Sequence, residues 1–176
     1  MTLKEKKLLI DFLNQHLPNW SAIVPELLNY FEKVELKENQ IAPIERESLH
    51  FILSGSFGIH SKDQPLRFCI TGELIVLNPG PNDRLIKVIQ DTTILYLNHE
   101  DYYRLSTDTL GLKDLYDSLL RQQYPFKAFR AKLRELDKPQ RLAAFRKRYP
   151  ELVYKVKRYD LAKYLGISLT LLRQQF

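Results

Sequence analysis

Hydrophobic residues in this chain switch from β-favouring runs to helical spacing near residue 99, and that switch constrains the fold more than any other feature. From about residue 32 to residue 98 they fall in short β-favouring runs: Val34 to Leu36, His50 to Leu53, Phe57 to His60, Leu66 to Ile70, Leu74 to Leu77, Leu85 to Ile89 and Thr93 to Leu97. From residue 99 onward they recur at helical spacing. Strands in one stretch and helices in another predict an α+β fold. Gly55, Gly58, Gly72 and Gly80 sit among the runs, where turns and bulges demand positive φ or close approach, so a compact antiparallel barrel or jelly roll is the expected closure. Ahead of it, Leu8, Leu9, Phe12 and Leu13, then Leu27, Leu28 and Phe31, lie around Pro18-Asn19-Trp20 and predict one or two amphipathic packing helices.

The helical stretch opens at Asn98 or Thr107, either of which suits an N-cap. Leu112, Leu115, Leu119, Gln122, Phe126, Phe129, Leu133 and Leu136 then follow one another at alternating steps of three and four, the spacing of a helix that lays one seam against a partner. The preferred partner is a second copy of the chain; the alternative is the chain's own β lobe. Pro125 predicts a kink or break near Tyr124. Asp137-Lys138-Pro139 marks a boundary. Beyond it a helix carries Leu142, Ala143 and Phe145 on one side, with Arg141, Arg146, Lys147 and Arg148 around it, and Tyr149-Pro150 stops it.

The formal charge of +6 hides two opposite regions. Residues 121–176 hold 15 basic and 4 acidic side chains, net +11; residues 1–120 hold the other 12 basic and 17 acidic, net −5. A lobe so basic gathers polyanions, because neutralising phosphates releases condensed counterions. The plainer alternative is a solvated basic face without a partner. A length of 176 residues excludes a large multidomain enzyme. The single cysteine, Cys69, builds neither a disulfide nor a cysteine-based zinc or iron–sulfur site, and is expected to be a core thiol. His16, His50, His60 and His99 are scattered, and neither a glycine-rich phosphate loop nor a Gly-x-Ser-x-Gly elbow occurs. No catalytic residue and no metal are therefore expected. No apolar run nears the roughly 20 residues of a membrane span. The short patch after Lys4-Glu5-Lys6-Lys7 does not read as a signal peptide, so a cytoplasmic location without a membrane partner is expected.

Residues 160–176 divide into a helix, a glycine turn and a second helix, the spacing of a helix-turn-helix. Leu161 and Leu165 are the buried side of the first helix, Ala162 permits close approach, Gly166 takes the turn, Ile167 plugs the corner and Ser168 caps the second helix. There Leu171 and Leu172 are expected to face inward. Leu169, Thr170, Arg173 and Gln174 are expected outward, where a recognition helix meets major-groove edges: Arg suits guanine, Gln suits adenine and Thr either, and Ser168 joins Thr170, Arg173 and Gln174 as a DNA-binding candidate. Lys155, Lys157, Arg158 and Lys163 surround the unit as phosphate contacts. Double-stranded DNA is the expected partner, and a plain αα-hairpin the alternative.

Phe51-Ile-Leu-Ser-Gly-Ser-Phe-Gly-Ile59, Gly72-Glu73-Leu74 and Leu97-Asn-His-Glu-Asp-Tyr-Tyr-Arg-Leu105 resemble the effector domain of Crp/Fnr transcription regulators. Gln140-Arg-Leu through Arg148-Tyr-Pro-Glu-Leu152, and on to Leu161-Ala-Lys-Tyr-Leu-Gly-Ile167, is similar to the DNA-binding end of compact members. The resemblance runs nearly the whole chain in order. It implies a cyclic-nucleotide-binding-like β-roll with flanking helices over residues 1–106, a long connecting and dimerisation helix over 107–137, and a winged-helix-type helix-turn-helix over 138–176. It also implies an effector site. In nucleotide-binding members a Gly-Glu-Leu turn offers a carboxylate to the ribose, and an Arg followed by a small residue clamps the cyclic phosphate. Gly72 and Glu73 match, and Arg84 is the candidate clamp, but Asp83 before it competes for the guanidinium and Leu85 after it offers no hydroxyl. Cyclic AMP or GMP is thus disfavoured, no cofactor is expected, and a different small-molecule effector, or none, is. The expectation is a homodimeric regulator with a seam of Leu112, Leu115, Leu119, Phe126 and Phe129. An effector would shift that seam and so change the spacing of two recognition helices, set about one DNA turn, roughly 34 Å, apart. The rival is a non-enzymatic ligand-binding or protein-interaction module whose helix-turn-helix has degenerated.

Overall fold

Between residues 32 and 97 the β-branched and aromatic runs pair into one antiparallel sheet, seen in a computed structural model that describes residues 1–16, 18–43, 48–76, 84–108, 110–122 and 124–176. Its strands are β1 (Glu32–Leu36), β2 (Ile41–Pro43), β3 (Leu49–Ser61), β4 (Gln64–Ile70), β5 (Leu74–Val76) and β6 (Arg84–Leu97). They run in the order β1-β6-β3-β4, with β2 also on β6 and β5 also on β3. Each of the long central strands spans two of the short runs that the sequence pattern separates. The register of β3 on β6 holds from Leu49 opposite Leu97 to Ser61 opposite Arg84, with shifts only between Ile52 and Phe57. Polar Ser54-Gly55-Ser56 sits at those shifts and breaks the apolar pattern without breaking the pairing. Gly55 is required there: its φ is +92°, and a Cβ would lie 2.4 Å from the Asp91 carbonyl. Thr92 Oγ1 accepts the Ser56 N–H at 2.9 Å and tightens the bend.

Alternation along the strands feeds two apolar layers. Ile52, Phe57, Ile59, Cys69, Ile75, Ile86, Val88 and Ile94 fill one. Phe51, Leu53, Leu74, Leu95 and Leu97 point the other way, onto α1 (Leu3–His16), α2 (Trp20–Ile23) and the 3-10 turn Leu27–Tyr30. Within α1, Leu9 and Leu13 are buried, while Leu8 is exposed. After the sheet come α3 (His99–Asp108), α4 (Leu110–Gln122), α5 (Tyr124–Glu135), α6 (Lys138–Arg148), the 3-10 turn Leu152–Tyr154, α7 (Arg158–Leu165) and α8 (Leu169–Gln174). Asn98 Oδ1 accepts the Asp101 N–H at 2.8 Å at the start of α3. Thr107 instead lies inside that helix and donates to the Tyr103 carbonyl. The expected long connecting helix is two helices, and Pro125 stands in the first turn of the second, where its missing N–H costs no hydrogen bond.

The stripe of apolar residues is shared between two cores of the same chain. Leu112 and Leu119 on α4 are buried with the sheet lobe. On α5, Leu133 is buried, and Phe129 and, just beyond the helix, Leu136 are half-buried against the C-terminal lobe. That lobe centres on Leu142, Phe145, Tyr149, Leu161, Leu165 and Leu172, and Phe68 of β4 enters it from the sheet. The Phe68 ring lies 4.8 Å from Tyr164 and 5.6 Å from Phe145, so the two lobes share an aromatic cluster.

Candidate functional site

The C-terminal helices are held by local chemistry that the sequence makes plain. Leu161, Ala162 and Leu165 bury one side of α7, which stops at Gly166 in a left-handed conformation with φ 64°. The Gly166 N–H reaches the Lys163 carbonyl and the Ile167 N–H reaches the Ala162 carbonyl, a Schellman end. Ser168 then caps α8, its Oγ accepting the Leu171 N–H at 3.1 Å. Leu172 is wholly buried and Leu171 half-buried, while Thr170, Arg173 and Gln174 are exposed. One expectation is corrected: Leu169 does not point outward but packs half-buried on the lobe's core, which removes an apolar side chain from the exposed row.

The surrounding cations divide. Lys157 is exposed at the start of α7, and Arg158 is exposed with its guanidinium 5.0 Å from the Phe176 ring. Lys155 donates to Gln90 Oε1 of β6, and Lys163 Nζ donates to the Asp63 carbonyl at 3.3 Å. Those two expected phosphate contacts therefore clasp the sheet lobe in this arrangement. Beside them His60, 1% exposed, lies at the lobe junction within the field of Asp160 and Lys163, and burial holds its pKa down to about 4. Three arginines of α6, set around the apolar side of that helix by the sequence pattern, also turn inward. Arg141 donates to four backbone carbonyls, Arg146 donates to the Gln175 carbonyl, and Arg148 lies 4.6 Å from the Phe129 ring.

A cavity of about 260 Å³ opens between the sheet and α5. Its floor is apolar, from β3, β4 and β5; Arg67, Arg84, Lys127 and Arg130 line it, with the Phe126 ring beside them. Of the three expected effector residues only Arg84 lines it. Gly72 has φ +87° and is exposed at its turn. Glu73 is committed elsewhere: its Oε2 accepts from Arg67 Nη2 at 2.8 Å, with both side chains largely buried. Burial raises the Glu73 pKa against the pull of Arg67. Asp83 lies outside the described residues. The Arg67 guanidinium sits 3.6 Å over the Phe126 ring, and Arg148 stands 4.8 Å from the same ring.

Four of the five expected seam residues contact their own chain. Leu112 and Leu119 are 0% and 2% exposed, Phe126 meets Arg67 and Arg148, and Phe129 meets Tyr149 and Arg148. The side chain of Leu115 lies outside the described residues. Cys69 is wholly buried, and burial raises its pKa to about 12, so it is a protonated core thiol. Among the described residues no group of three or more His, Cys, Asp or Glu is placed to hold a metal ion, and no helix is long and apolar enough to cross a membrane.

No family model matches the chain, and no curated protein matches its sequence. Solved structures do match. A putative transcriptional regulator of the Crp/Fnr family from Eubacterium rectale superposes with TM-score 0.72 at 12% identity, covering 92% of this chain and 85% of that one. FixK2 from Bradyrhizobium japonicum gives 0.66 at 15% identity, over 82% of each chain. CLP from Xanthomonas campestris, described as a c-di-GMP responsive global regulator, gives 0.63 at 14% identity over 88% and 89%. At such identities the likeness is one of fold, and the fold is that of the Crp/Fnr transcription regulators.

Proposed function

We propose that this chain is a DNA-binding transcription regulator of the Crp/Fnr type, acting in the cytoplasm as a homodimer, sensing a small molecule through its sheet lobe and carrying no catalytic chemistry. The observation that carries the reading is the exposed row Thr170, Arg173 and Gln174. These side chains have base-edge chemistry and stand on a helix whose opposite side, Leu172, is buried and whose start Ser168 fixes. Lys157 and Arg158 supply phosphate contacts. Separating the lobes would free Lys155 and Lys163 to add two more, which couples lobe docking to DNA affinity. Since Leu112, Leu119 and Leu133 are buried inside the chain, our reading puts the two-fold contact on the exposed face of α5 at Tyr124, Ala128 and Ala131.

The effector we assign to the cavity under α5 is an organic anion with a small apolar body. Arg84, Lys127 and Arg130 offer positive charge over an apolar floor, and no carboxylate lines the cavity among the described residues. Glu73, the group a ribose would need, is taken by Arg67. Cyclic AMP is therefore a poor fit.

Selection of a random-sequence duplex pool by the purified chain at two salt concentrations tests the function. An enriched palindrome is the expected outcome, with binding that falls steeply with salt. Binding without enrichment would leave only a phosphate-gripping surface. No binding at either salt would favour an interaction module with a degenerate helix-turn-helix. Sedimentation at micromolar concentration checks the dimer, and a monomer there would contradict it.

A further inference from the structure

Among the described residues Arg141 makes four hydrogen bonds, all to main-chain carbonyls. Its Nε donates to Leu136 at 3.0 Å, Nη2 to Arg134 at 3.1 Å, and Nη1 to Leu165 at 3.0 Å and Gly166 at 3.1 Å. Two of these acceptors close α5, which ends at Glu135, and two close α7, which ends at Leu165. The last carbonyls of a helix have no partner within it and lie at the negative end of its dipole. The Schellman bonds at Gly166 use the Ala162 and Lys163 carbonyls, so those of Leu165 and Gly166 are left for another donor. One guanidinium, a rigid planar fork, thus caps two helices at once. The fit is close: a Cβ on Gly166 would come within 3.1 Å of Nη1.

We infer that Arg141 is the positioning residue that makes the end of α5 and the turn ahead of α8 move as one body, so that a displacement of α5 reaches the exposed face of α8. This rests on the regulator reading above. On one side, Arg130 lines the cavity and stands one turn before Arg134, whose carbonyl Arg141 holds. On the other, only Ile167 and Ser168 separate Gly166 from the first residue of α8. Arg141 is therefore a mechanical link and not a phosphate contact, although its charge suggests the latter.

Lysine keeps the charge but carries a compact ammonium that serves one helix end, so Arg141→Lys separates the link from the charge. The full-length chain and this variant are compared by affinity for the enriched duplex against a scrambled one, and by amide hydrogen exchange. The variant should bind scrambled DNA as the parent does, with the same salt slope, and lose about tenfold for the enriched duplex. Exchange should rise together in residues 134–137 and 167–172. An unchanged affinity ratio, or faster exchange in only one segment, would overturn the link. Should the variant not fold, the parent alone decides: the Leu136 and Ile167 amides, each hydrogen-bonded, should respond in parallel to added denaturant, and independent responses overturn the inference. A parent that enriches no DNA sequence removes the regulator reading, while the exchange result still accepts or rejects the mechanical link.

Discussion

Helices α4 and α5 are two halves of one apolar stripe, and different partners bury them. On α4, Leu112 and Leu119 sink into the core behind the sheet among Leu9, Leu13 and Phe51. On α5, the Phe126 ring meets the guanidinia of Arg67 and Arg148, and Phe129 lies against Tyr149 at the edge of the C-terminal lobe. The spacing says that a face is covered and says nothing of what covers it. The two halves therefore divide the labour: α4 is a fixed part of the sheet lobe, while α5 roofs a cavity and joins two lobes through polar and cation–ring contacts.

The largest effect that would break this comparison is on α4. Leu112→Ala and Leu119→Ala should each cost about 2–5 kcal/mol, read as a drop in denaturant midpoint relative to the parent that is the same at low and high protein concentration. A concentration-dependent loss would return these residues to a dimer seam. Phe126→Ala on α5 should cost less, about 1–3 kcal/mol, because the ring is only half-buried and Arg67 keeps its ion pair with Glu73. A loss matching that of Leu112→Ala would remove the distinction.

Acid separates the lobes more gently. Burial holds His50 and His60 down to about 4 from 6.5, so the unfolded chain takes up protons that the folded one refuses. Their contribution is fully present above pH 6.5 and is lost as pH falls toward 4. Residues 121–176 contain no histidine, so the sheet lobe should weaken first. Amide exchange followed from pH 7 to pH 5 would show this, and earlier loosening of the C-terminal lobe would contradict it. The smallest stability effect is at Thr170→Ala, within about 0.5 kcal/mol, with relaxed base preference as its only large consequence.

Much of this was legible because it is local. Gly166, Ser168 and Leu172 act within a few residues of themselves, and their roles in the turn, the cap and the core follow from residue type. The long strands were less legible, since Ser54-Gly55-Ser56 imitates a turn while a bulge keeps the pairing intact. The basic α6 misled most. Arg141, Arg146 and Arg148 carry the same charge as a phosphate-binding surface, and only tertiary placement turns them onto carbonyls and rings. Glu73 matched its motif, but Arg67, six residues before it, took its carboxylate. Lys155 and Lys163 likewise hold partners on a distant strand and turn, which residue type alone does not reveal.

With Arg141, Arg146, Arg148, Lys155 and Lys163 engaged inside the molecule, the proposed base reading rests on the exposed face of α8. Its most direct test is duplex selection by the Arg173→Ala, Gln174→Ala double variant beside the parent. Both residues are exposed, so the variant should fold and bind DNA with nearly the same salt dependence while losing the enriched sequence. An unchanged enriched sequence would mean that the chain reads DNA elsewhere, or not through α8 at all.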